Sequence, residues 1–254
     1  MKTAAIIPVR MASSRFPGKP LKTICGIPMV GHCYYRTNLV SEIEKVYVAT
    51  CDKEIANYIK SIGGNVIMTS LNHKRATTRS AEALEKIEEK YDNKFDVIVM
   101  VQGDEPLVMP SSISDVIAKF YNSENKIVNL MSLISSKKVL NDKNNVKVVV
   151  DNNNNALYFS REAIPSSWKS LKNYSRYMQT GIIAFRRNAL FNFNNTEETI
   201  LEKIESIDMN RVLETGGKIK MVLTQNSTIG VDVPEELIKV EKILANDPIT
   251  KMYI

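Results

Sequence analysis

The chain has 254 residues, of which 44% are hydrophobic and 24% charged, a balance typical of a globular protein that buries a substantial core. Its net charge of +6 is dispersed, without a stripe of basic and aromatic residues, which favours small anionic ligands over DNA or RNA. Apolar runs stay shorter than the ~18 residues of a membrane span, and Pro8, Arg10 and Arg15 interrupt any signal-peptide pattern. Three cysteines without a disulfide or metal-ligand pattern suit a reducing compartment. We therefore expect a cytoplasmic protein with neither a nucleic-acid nor a membrane partner.

Strand-like and helix-like segments alternate over the first 102 residues. Apolar, β-branched runs predict strands at residues 4–9, 45–50, 65–68 and 95–102. Amphipathic periodicity predicts helices at residues 29–38, 53–62 and 77–90. Such alternation is typical of a mainly parallel sheet covered by helices on both faces, so we predict an α/β, doubly wound, Rossmann-like fold. Ligands of these folds bind at the carboxyl ends of the strands.

After residue 110 the pattern changes. Strands are predicted at residues 127–134, 146–150 and 156–160, and the last two form a hairpin in a smaller lobe. A further strand is predicted at 181–186, mostly helix at 196–216, a strand at 218–223 and a helix at 234–245. The Asn-rich stretches 141–145, 151–155 and 192–195 are predicted to be loop tips.

A basic loop follows the first predicted strand. Arg10, Arg15 and Lys19 fall within ten residues, and Gly18 interrupts the loop. A loop that leaves a strand can direct backbone N–H groups at phosphate oxygens, while arginine and lysine add charged donors. The spacing differs from the Walker pattern, so a P-loop NTPase fits poorly. The alternative is a solvated basic loop beside a buried strand.

Two carboxylates stand in distant segments that both suit a ligand crevice. Asp104 lies in Gln-Gly-Asp-Glu-Pro at 102–106, directly after an apolar run, and Asp232 lies in Gly-Val-Asp-Val-Pro at 230–234. If the two converge they can hold Mg²⁺ against a triphosphate, because Mg²⁺ prefers one or two carboxylates with phosphate oxygens and water. Taken singly, each is explained as well by a turn or a helix N-cap.

Segments along nearly the whole chain resemble, in order and spacing, the 3-deoxy-manno-octulosonate cytidylyltransferase family, the CMP-Kdo synthetases. The matching segments are 17–21, 48–50, 63–64, 68–69, 101–106, 146–149, 156–161, 164–165, 181–182, 205–206 with Arg211, and 230–232. The resemblance implies a single nucleotidyltransferase domain over residues 1–254, with a sheet of the nucleotide-diphospho-sugar transferase type and a homodimeric assembly. It also implies that the partners are CTP and a small anionic acceptor, and that Mg²⁺ is the cofactor.

The resemblance assigns roles to particular residues. It implies that Arg10, Arg15 and Lys19 hold the triphosphate and act in catalysis together with Asp104. It implies that Asp104 and Asp232 ligate Mg²⁺. The residues expected to bind the nucleotide are Arg10, Arg15, Lys19, Thr77 and Gln102.

The loop after His73 departs from the family pattern. The family usually reads Ser-Gly-Thr, an acidic residue and Arg here, whereas this chain reads Arg-Ala-Thr-Thr-Arg at 75–79. Thr77 and Arg79 are retained, and Arg75 replaces a small hydroxyl residue. We interpret His73 as a loop hydrogen-bonding residue, with catalysis as the alternative.

A second departure lies in the segment expected to form the sugar pocket. Gln179 and Ile183 stand where the family has His and Tyr. Together with Arg75, they predict a more cationic site that is less suited to sugar hydroxyls, so we expect an acceptor other than ordinary Kdo or Kdo held differently. The residues expected to bind the acceptor are Arg75, Arg79, Arg161 and Gln179.

Several functions remain open from the sequence. One is a CTP-dependent transferase that activates an acidic sugar of the Kdo type to its CMP-sugar and releases pyrophosphate. Another is a cytidylyltransferase that acts on a different small anion, for example a phosphorylated one, and gives a CDP-linked product for cell-surface polysaccharide synthesis. A third is a non-catalytic nucleotide-sensing protein on the same fold, and a fourth is transfer from a nucleotide with another base.

Overall fold

A computed structural model describes residues 1–13, 15–92, 94–169, 174–226 and 229–254. Ser14, part of the basic loop, lies outside the described residues. The described part of the chain contains one large sheet in the order β11-β7-β10-β6-β1-β4-β5, with β8 attached to β10 and β9 attached to β8. The bounds, in chain order through the first half, are β1 (Thr3–Pro8), β2 (Thr23–Ile24), β3 (Ile27–Pro28), α1 (Met29–Asn38), β4 (Lys45–Thr50), α2 (Lys53–Ser61), β5 (Asn65–Met68), α3 (Ala76–Tyr91), β6 (Val97–Val101) and α4 (Pro110–Ala118). In the second half they are β7 (Ile127–Leu133), α5 (Lys137–Asn141), β8 (Lys147–Val150), β9 (Ala156–Ser160), β10 (Tyr177–Arg186), α6 (Arg187–Asn195), α7 (Ile200–Glu205), α8 (Met209–Glu214), β11 (Lys220–Thr224) and α9 (Pro234–Leu244).

The sheet is mainly parallel, which confirms the predicted α/β fold. β1 pairs in parallel with β4 and β6, β4 with β5, and β11 with β7. β10 runs antiparallel to β6 and β7 and links the two halves. The predicted hairpin is confirmed as β8 and β9, and it joins the sheet through β10.

Helices cover both faces of the sheet, so its central strands are buried on both sides. In β1, Ala4 and Ile6 pack into one apolar cluster with residues of α3 and α6, while Ala5 and Ile7 pack into another with residues of α1, α2 and α4. Burial on both faces explains why β1 is a continuous apolar run rather than an alternating one. No helix in the described part of the chain is long and apolar enough to cross a membrane.

Several elements differ from the sequence expectation. α4 was not predicted, but Pro110 occupies its first turn and Ile113, Val116 and Ile117 bury one face. The predicted Asn-rich loop at 192–195 is the end of α6, because the burial of Phe193 draws the segment onto the sheet. The stretch 141–145 begins inside α5, and the helical region at 196–216 divides into α7 and α8.

Candidate active site

A cavity of about 300 Å³, here called the first cavity, opens at the carboxyl ends of β1 and β6. The loop after β1 brings Arg10, Arg15 and Lys19 to its wall, and the segment after β6 brings Gln102 and Asp104. This is the sheet edge at which the fold predicts a ligand.

Lys19 joins the two predicted carboxylates. Its Nζ donates to Asp104 Oδ2 at 2.7 Å, to Asp232 Oδ1 at 2.9 Å and to the Val231 carbonyl at 2.9 Å. Burial alone would lower the pKa of Lys19, but the charges of and hydrogen bonds to Asp104 and Asp232 outweigh burial and raise the pKa. The ammonium therefore stays charged although only 12% of the side chain is exposed.

The basic loop is shaped so that two of its cations, Arg15 and Lys19, contact the carboxylates. Gly18 adopts a left-handed conformation with φ of 70°, which suits glycine, and a short 3₁₀ turn then begins at Lys19. Arg15 lies 3.0 Å from Asp232 Oδ1 and also donates to Asn144. Arg10 donates to the His73 carbonyl at 3.1 Å.

The loop that carries Asp232 is fastened to the loop that carries Asp104. The Val231 N–H donates to the Asp104 carbonyl at 2.9 Å. The Asp232 N–H donates to Glu236 Oε2 at 2.6 Å, which ties the loop to the first turn of α9. Backbone contacts thus hold the two carboxylates together, 128 residues apart in the sequence.

A second cavity of about 610 Å³ lies beside the first, between β7, β10, α5 and the segment before α9. Gln102, Asp104 and Asp232 line both cavities. Gln179 lines the second cavity. The paired carboxylates therefore stand at the border, where ligands in the two cavities would meet.

The segment 75–79, which includes the first turn of α3, contributes to the first cavity, but its three predicted residues differ in placement. Arg79 lines this cavity and donates to Thr69 and to the Ser70 carbonyl, and its Nη2 is a buried nitrogen without a hydrogen-bond partner among the described residues. Thr77 is fully buried, and its hydroxyl donates to Asp208 at 2.7 Å. The structure thus does not bring Thr77 to the wall of either cavity, as the described residues define them.

Arg75 also lines the first cavity, but acidic side chains balance its charge. Its Nε lies 3.5 Å from Asp208, 3.7 Å from Glu198 and 3.8 Å from Glu202. Its Nη1 donates to the Ser206 hydroxyl at 2.9 Å. The expectation that Arg75 makes the acceptor site more cationic is therefore corrected, because three carboxylates from the segment 198–208 offset the added charge.

Arg161 and Ile183 line neither cavity as the described residues define them. Arg161 donates to the carbonyls of Glu205 at 2.7 Å, Lys143 at 2.9 Å and Ser206 at 3.2 Å, so the structure shows it joining the hairpin to α7. Ile183 is 2% exposed and packs in the core. Replacing a tyrosine at this position thus leaves an ordinary core residue.

Glu105 is a site residue that the sequence reasoning did not single out, although it follows Asp104 in the same motif. It lines the second cavity, and its Oε1 accepts a hydrogen bond from the Gly181 N–H at 2.8 Å. Burial and the charge of Asp104 raise the pKa of Glu105 to about 7.

His73 anchors the rim of the first cavity, which confirms its interpretation as a loop hydrogen-bonding residue. Its Nδ1 contacts the Thr78 hydroxyl at 3.0 Å, and its Nε2 contacts Glu82 on α3. Burial would raise the pKa of Glu82, but hydrogen bonds from Lys86, the Ser70 N–H and His73 lower it to about 2. Because Arg10 donates to the His73 carbonyl, this network also holds Arg10.

Comparison with known proteins matches residues 4–221 to the family model described as cytidylyltransferase. The 3-deoxy-manno-octulosonate cytidylyltransferase of Parabacteroides distasonis is 39% identical over an alignment of 257 positions, gaps included, which covers 97% of this chain and 99% of that protein. The 8-amino-3,8-dideoxy-manno-octulosonate cytidylyltransferase of Shewanella baltica is also 39% identical and covers 97% of this chain and 100% of that protein. The solved structure of CMP:2-keto-3-deoxy-manno-octonic acid synthetase complexed with CTP superposes with a TM-score of 0.88 at 33% identity, over 96% of this chain and 99% of that one. The chain belongs to the cytidylyltransferase family.

Proposed function

We propose that this enzyme transfers CMP from CTP to an acidic sugar of the 3-deoxy-manno-octulosonate type and releases pyrophosphate. The observation that carries the proposal is the pair Asp104 and Asp232, held on Lys19 at the border of two cavities. The first cavity has the cations that a triphosphate needs, and the second has room and polar groups for a sugar acid. The relatives named above act on this sugar or on its 8-amino derivative, and one binds CTP.

The nucleotide would occupy the first cavity. Arg10, Arg15 and Lys19 line it, and the two arginines supply forked donors that suit phosphate oxygens. Arg79 lines the same cavity, and its buried Nη2 has no hydrogen-bond partner among the described residues. We therefore assign Arg79 to the nucleotide, although the sequence reasoning assigned it to the acceptor.

The residues present fit a magnesium ion. Asp104 and Asp232 both lie within 3 Å of the same ammonium nitrogen, and 27% of each side chain is exposed. Mg²⁺ is bound in nucleotide enzymes by one or two carboxylates together with substrate phosphates and water. Asp104 and Asp232 would hold the ion, which would supply positive charge beside the phosphate oxygens.

The chain's own residues would position the reactants and stabilise charge. An acceptor oxygen in the second cavity would attack the α-phosphorus, a new O–P bond would form, and the bond to the pyrophosphate oxygen would break while the hydroxyl proton passes to solvent. Lys19 and Arg15 would stabilise the charge that develops on the leaving pyrophosphate. Orienting two substrates on either side of the carboxylates accounts for much of the rate gain that we expect.

We further propose that the protein is a cytoplasmic homodimer whose product serves cell-surface polysaccharide synthesis. Ile200 and Ile204, which are four residues apart on α7, are 70% and 73% exposed. Leu157 on the neighbouring strand β9 is 60% exposed, and Tyr158 of that strand donates to Glu205 of α7. Exposed apolar side chains on adjacent elements suit a contact with a second copy. Light scattering of the wild type and of Ile200→Ser/Ile204→Ser would test this assembly.

A pyrophosphate-release screen tests the proposed reaction. The protein would be assayed with Mg²⁺ and CTP, ATP, GTP or UTP against 3-deoxy-manno-octulosonate, its 8-amino derivative and phosphorylated sugars, with product masses recorded. We expect release with CTP and the sugar acid, and a CMP-sugar product. A CDP-linked product from a phosphorylated acceptor alone would contradict the proposal, as would failure to release pyrophosphate with any acceptor.

A further inference from the structure

A buried asparagine organises the wall of the second cavity. Asn129 on β7 is fully buried, and the two hydrogens of its Nδ2 are shared among the carbonyls of Ile182 at 2.9 Å, Leu130 at 3.1 Å and Thr180 at 3.3 Å. These contacts coincide with an irregularity in β10, where the register against β7 shifts between Gln179 and Ile183. Asn129 thus satisfies backbone carbonyls at the interrupted part of the strand pairing.

The network determines which way the Gln179 amide points. Carbonyl oxygens accept hydrogen bonds and cannot donate them, so the Asn129 atom that faces three of them must be its NH₂ group. Its Oδ1 therefore faces Gln179, and that oxygen can only accept. It follows that Gln179 donates with Nε2, at a distance of 2.6 Å, and that its orientation is fixed by a partner with no freedom to turn over.

This orientation leaves an oxygen for a ligand. Gln179 lines the second cavity and is partly exposed, and its Oε1 accepts no hydrogen bond from the described residues. An amide oxygen accepts from a hydroxyl or an ammonium group, whereas it repels a carboxylate or phosphate oxygen. The direction of this acceptor therefore selects the polarity of whatever lies against it.

The same stretch of β10 contacts the segment that carries Asp104. The Gln102 N–H donates to the Gly181 carbonyl at 2.9 Å, and the Gly181 N–H donates to Glu105 Oε1 at 2.8 Å. A Cβ on Gly181 would lie 2.9 Å from both Gln102 Cβ and Glu105 Cγ, so only glycine permits this approach. A ligand group on Gln179 would thus be held at a fixed position relative to Asp104.

We propose that Gln179 is a specificity-determining residue whose Oε1 accepts a hydrogen bond from a hydroxyl or ammonium group of the acceptor, and that Asn129 is the positioning residue that directs it. The inference rests on the proposed function. It adds that the acceptor group against Gln179 is a hydrogen-bond donor. It also requires the acceptor's carboxylate to bind away from Gln179. Gln179, which stands where the family has a histidine, thus provides a hydrogen-bond acceptor of fixed direction in the second cavity.

The test compares acceptors that differ only in hydrogen-bond donation. Pyrophosphate release with CTP would be measured for 3-deoxy-manno-octulosonate and for analogues in which one hydroxyl at a time is replaced by fluorine, which cannot donate. We expect the wild type to show an acceptor KM about tenfold higher for one analogue, a factor that corresponds to about 1.4 kcal/mol. Gln179→Leu should raise the KM for the unmodified acceptor by a similar factor, with the KM for CTP changed less than about twofold. For that one analogue, the acceptor KM of Gln179→Leu should be no higher than that of the wild type.

Asn129→Leu separates positioning from a structural role. If Asn129 acts through Gln179, Asn129→Leu should raise the acceptor KM, and the double variant Asn129→Leu/Gln179→Leu should show no additional rise. Additive effects, or an equal rise in the KM for CTP, would overturn the positioning role. An acceptor KM unchanged in Gln179→Leu would overturn the specificity role while leaving the proposed function intact. No release by the wild type with any acceptor would overturn both. If Asn129→Leu fails to fold, the Gln179 and fluorinated-acceptor arms still decide the specificity role.

Discussion

The two cavities that meet at Asp104 and Asp232 are built from different kinds of groups. In the first cavity the groups that we assign to the triphosphate are charged, and Lys19 and Arg15 among them come from a loop. In the second, the group that we assign to recognition is a neutral amide, and it stands on a strand. Charge attracts any anion over several ångströms, whereas a fixed amide accepts from one direction only.

The difference extends to what holds each group in place. Lys19 is fixed by opposite charges, because both carboxylates contact its ammonium. Gln179 is fixed by Asn129, and Asn129 is fixed by backbone carbonyls. Triphosphate recognition of this kind tolerates movement of a flexible side chain, whereas acceptor recognition depends on the backbone of β10. Substitutions should therefore affect CTP and the acceptor separately.

The largest expected effect on turnover concerns Asp104 and Asp232, at the border of the two cavities. Asp104→Asn and Asp232→Asn should each lower turnover at saturating Mg²⁺ and CTP on the order of 10³-fold, because each removes a carboxylate that would hold the metal beside the phosphates. Pyrophosphate release measures this, and Asp115→Asn on the exposed side of α4 is the matched control. Near wild-type rates in both site variants would show that the border carries no metal.

The next effect separates the first cavity from the second. Lys19→Met should lower kcat/KM for CTP about 100-fold, since charge-assisted hydrogen bonds contribute roughly 1.5–3 kcal/mol each. The KM for the acceptor should change little. Binding of cytidine, which lacks phosphates, should be nearly unaffected, and Lys22→Met serves as the control. Equal losses for CTP and cytidine would mean that Lys19 does not contact the phosphates.

Much of the fold could be predicted because its signals are local. The bounds of α1, β4 and β5 agree with the sequence prediction at every residue, since their apolar periodicity ends where the elements end. β10 was predicted only from residue 181, because the polar Gln179 and Thr180 interrupt the apolar pattern and the first residues depend on pairing with β7 and β8. Ser206 adopts a left-handed conformation with φ of 54° and ends α7, which the helical pattern did not indicate.

The site was predictable only to the extent that its residues stand in motifs. Lys19, Asp104 and Asp232 each lie in a recognisable segment, and the structure brings them together. Asn129 has no such signal, because a single polar residue in an apolar strand does not reveal three carbonyl partners. The carboxylates that balance Arg75 lie more than 100 residues further along the chain, so the sequence suggested a free charge.

A third prediction decides to which cavity Arg79 belongs. Arg79→Lys keeps the charge but loses the Nη2 donor, so the KM for CTP should rise about tenfold, and the KM for the acceptor should stay the same. Arg187→Lys is the matched control. Arg187 binds Glu88 of α3, the helix that carries Arg79, through a bidentate ion pair, and it does not line the first cavity. A rise in the acceptor KM alone would return Arg79 to the acceptor site.

The smallest effect concerns the support of the first cavity by Glu82. The folded-state pKa of Glu82 lies near 2, below its ordinary value of 4.5, so the native state favours the carboxylate. Its stabilising contribution is therefore present above about pH 4.5 and is lost as the pH falls towards 2. Because part of the side chain is exposed, we expect Glu82→Gln to lower the free energy of unfolding by only about 1 kcal/mol at pH 7.

Denaturant titrations of the ligand-free protein between about pH 3 and 7 measure this dependence, since the difference between wild type and Glu82→Gln should shrink as the pH falls. Glu85→Gln, at an exposed position on the same helix, should show no such trend. A difference that stays constant with pH would contradict the ionic contribution of Glu82. At pH 7 the variant should also raise the KM for CTP by less than about threefold, because Glu82 acts on the nucleotide only indirectly, through His73 and Arg10 and through Ser70 and Arg79. An unchanged KM for the acceptor would then confine the Glu82 network to the first cavity.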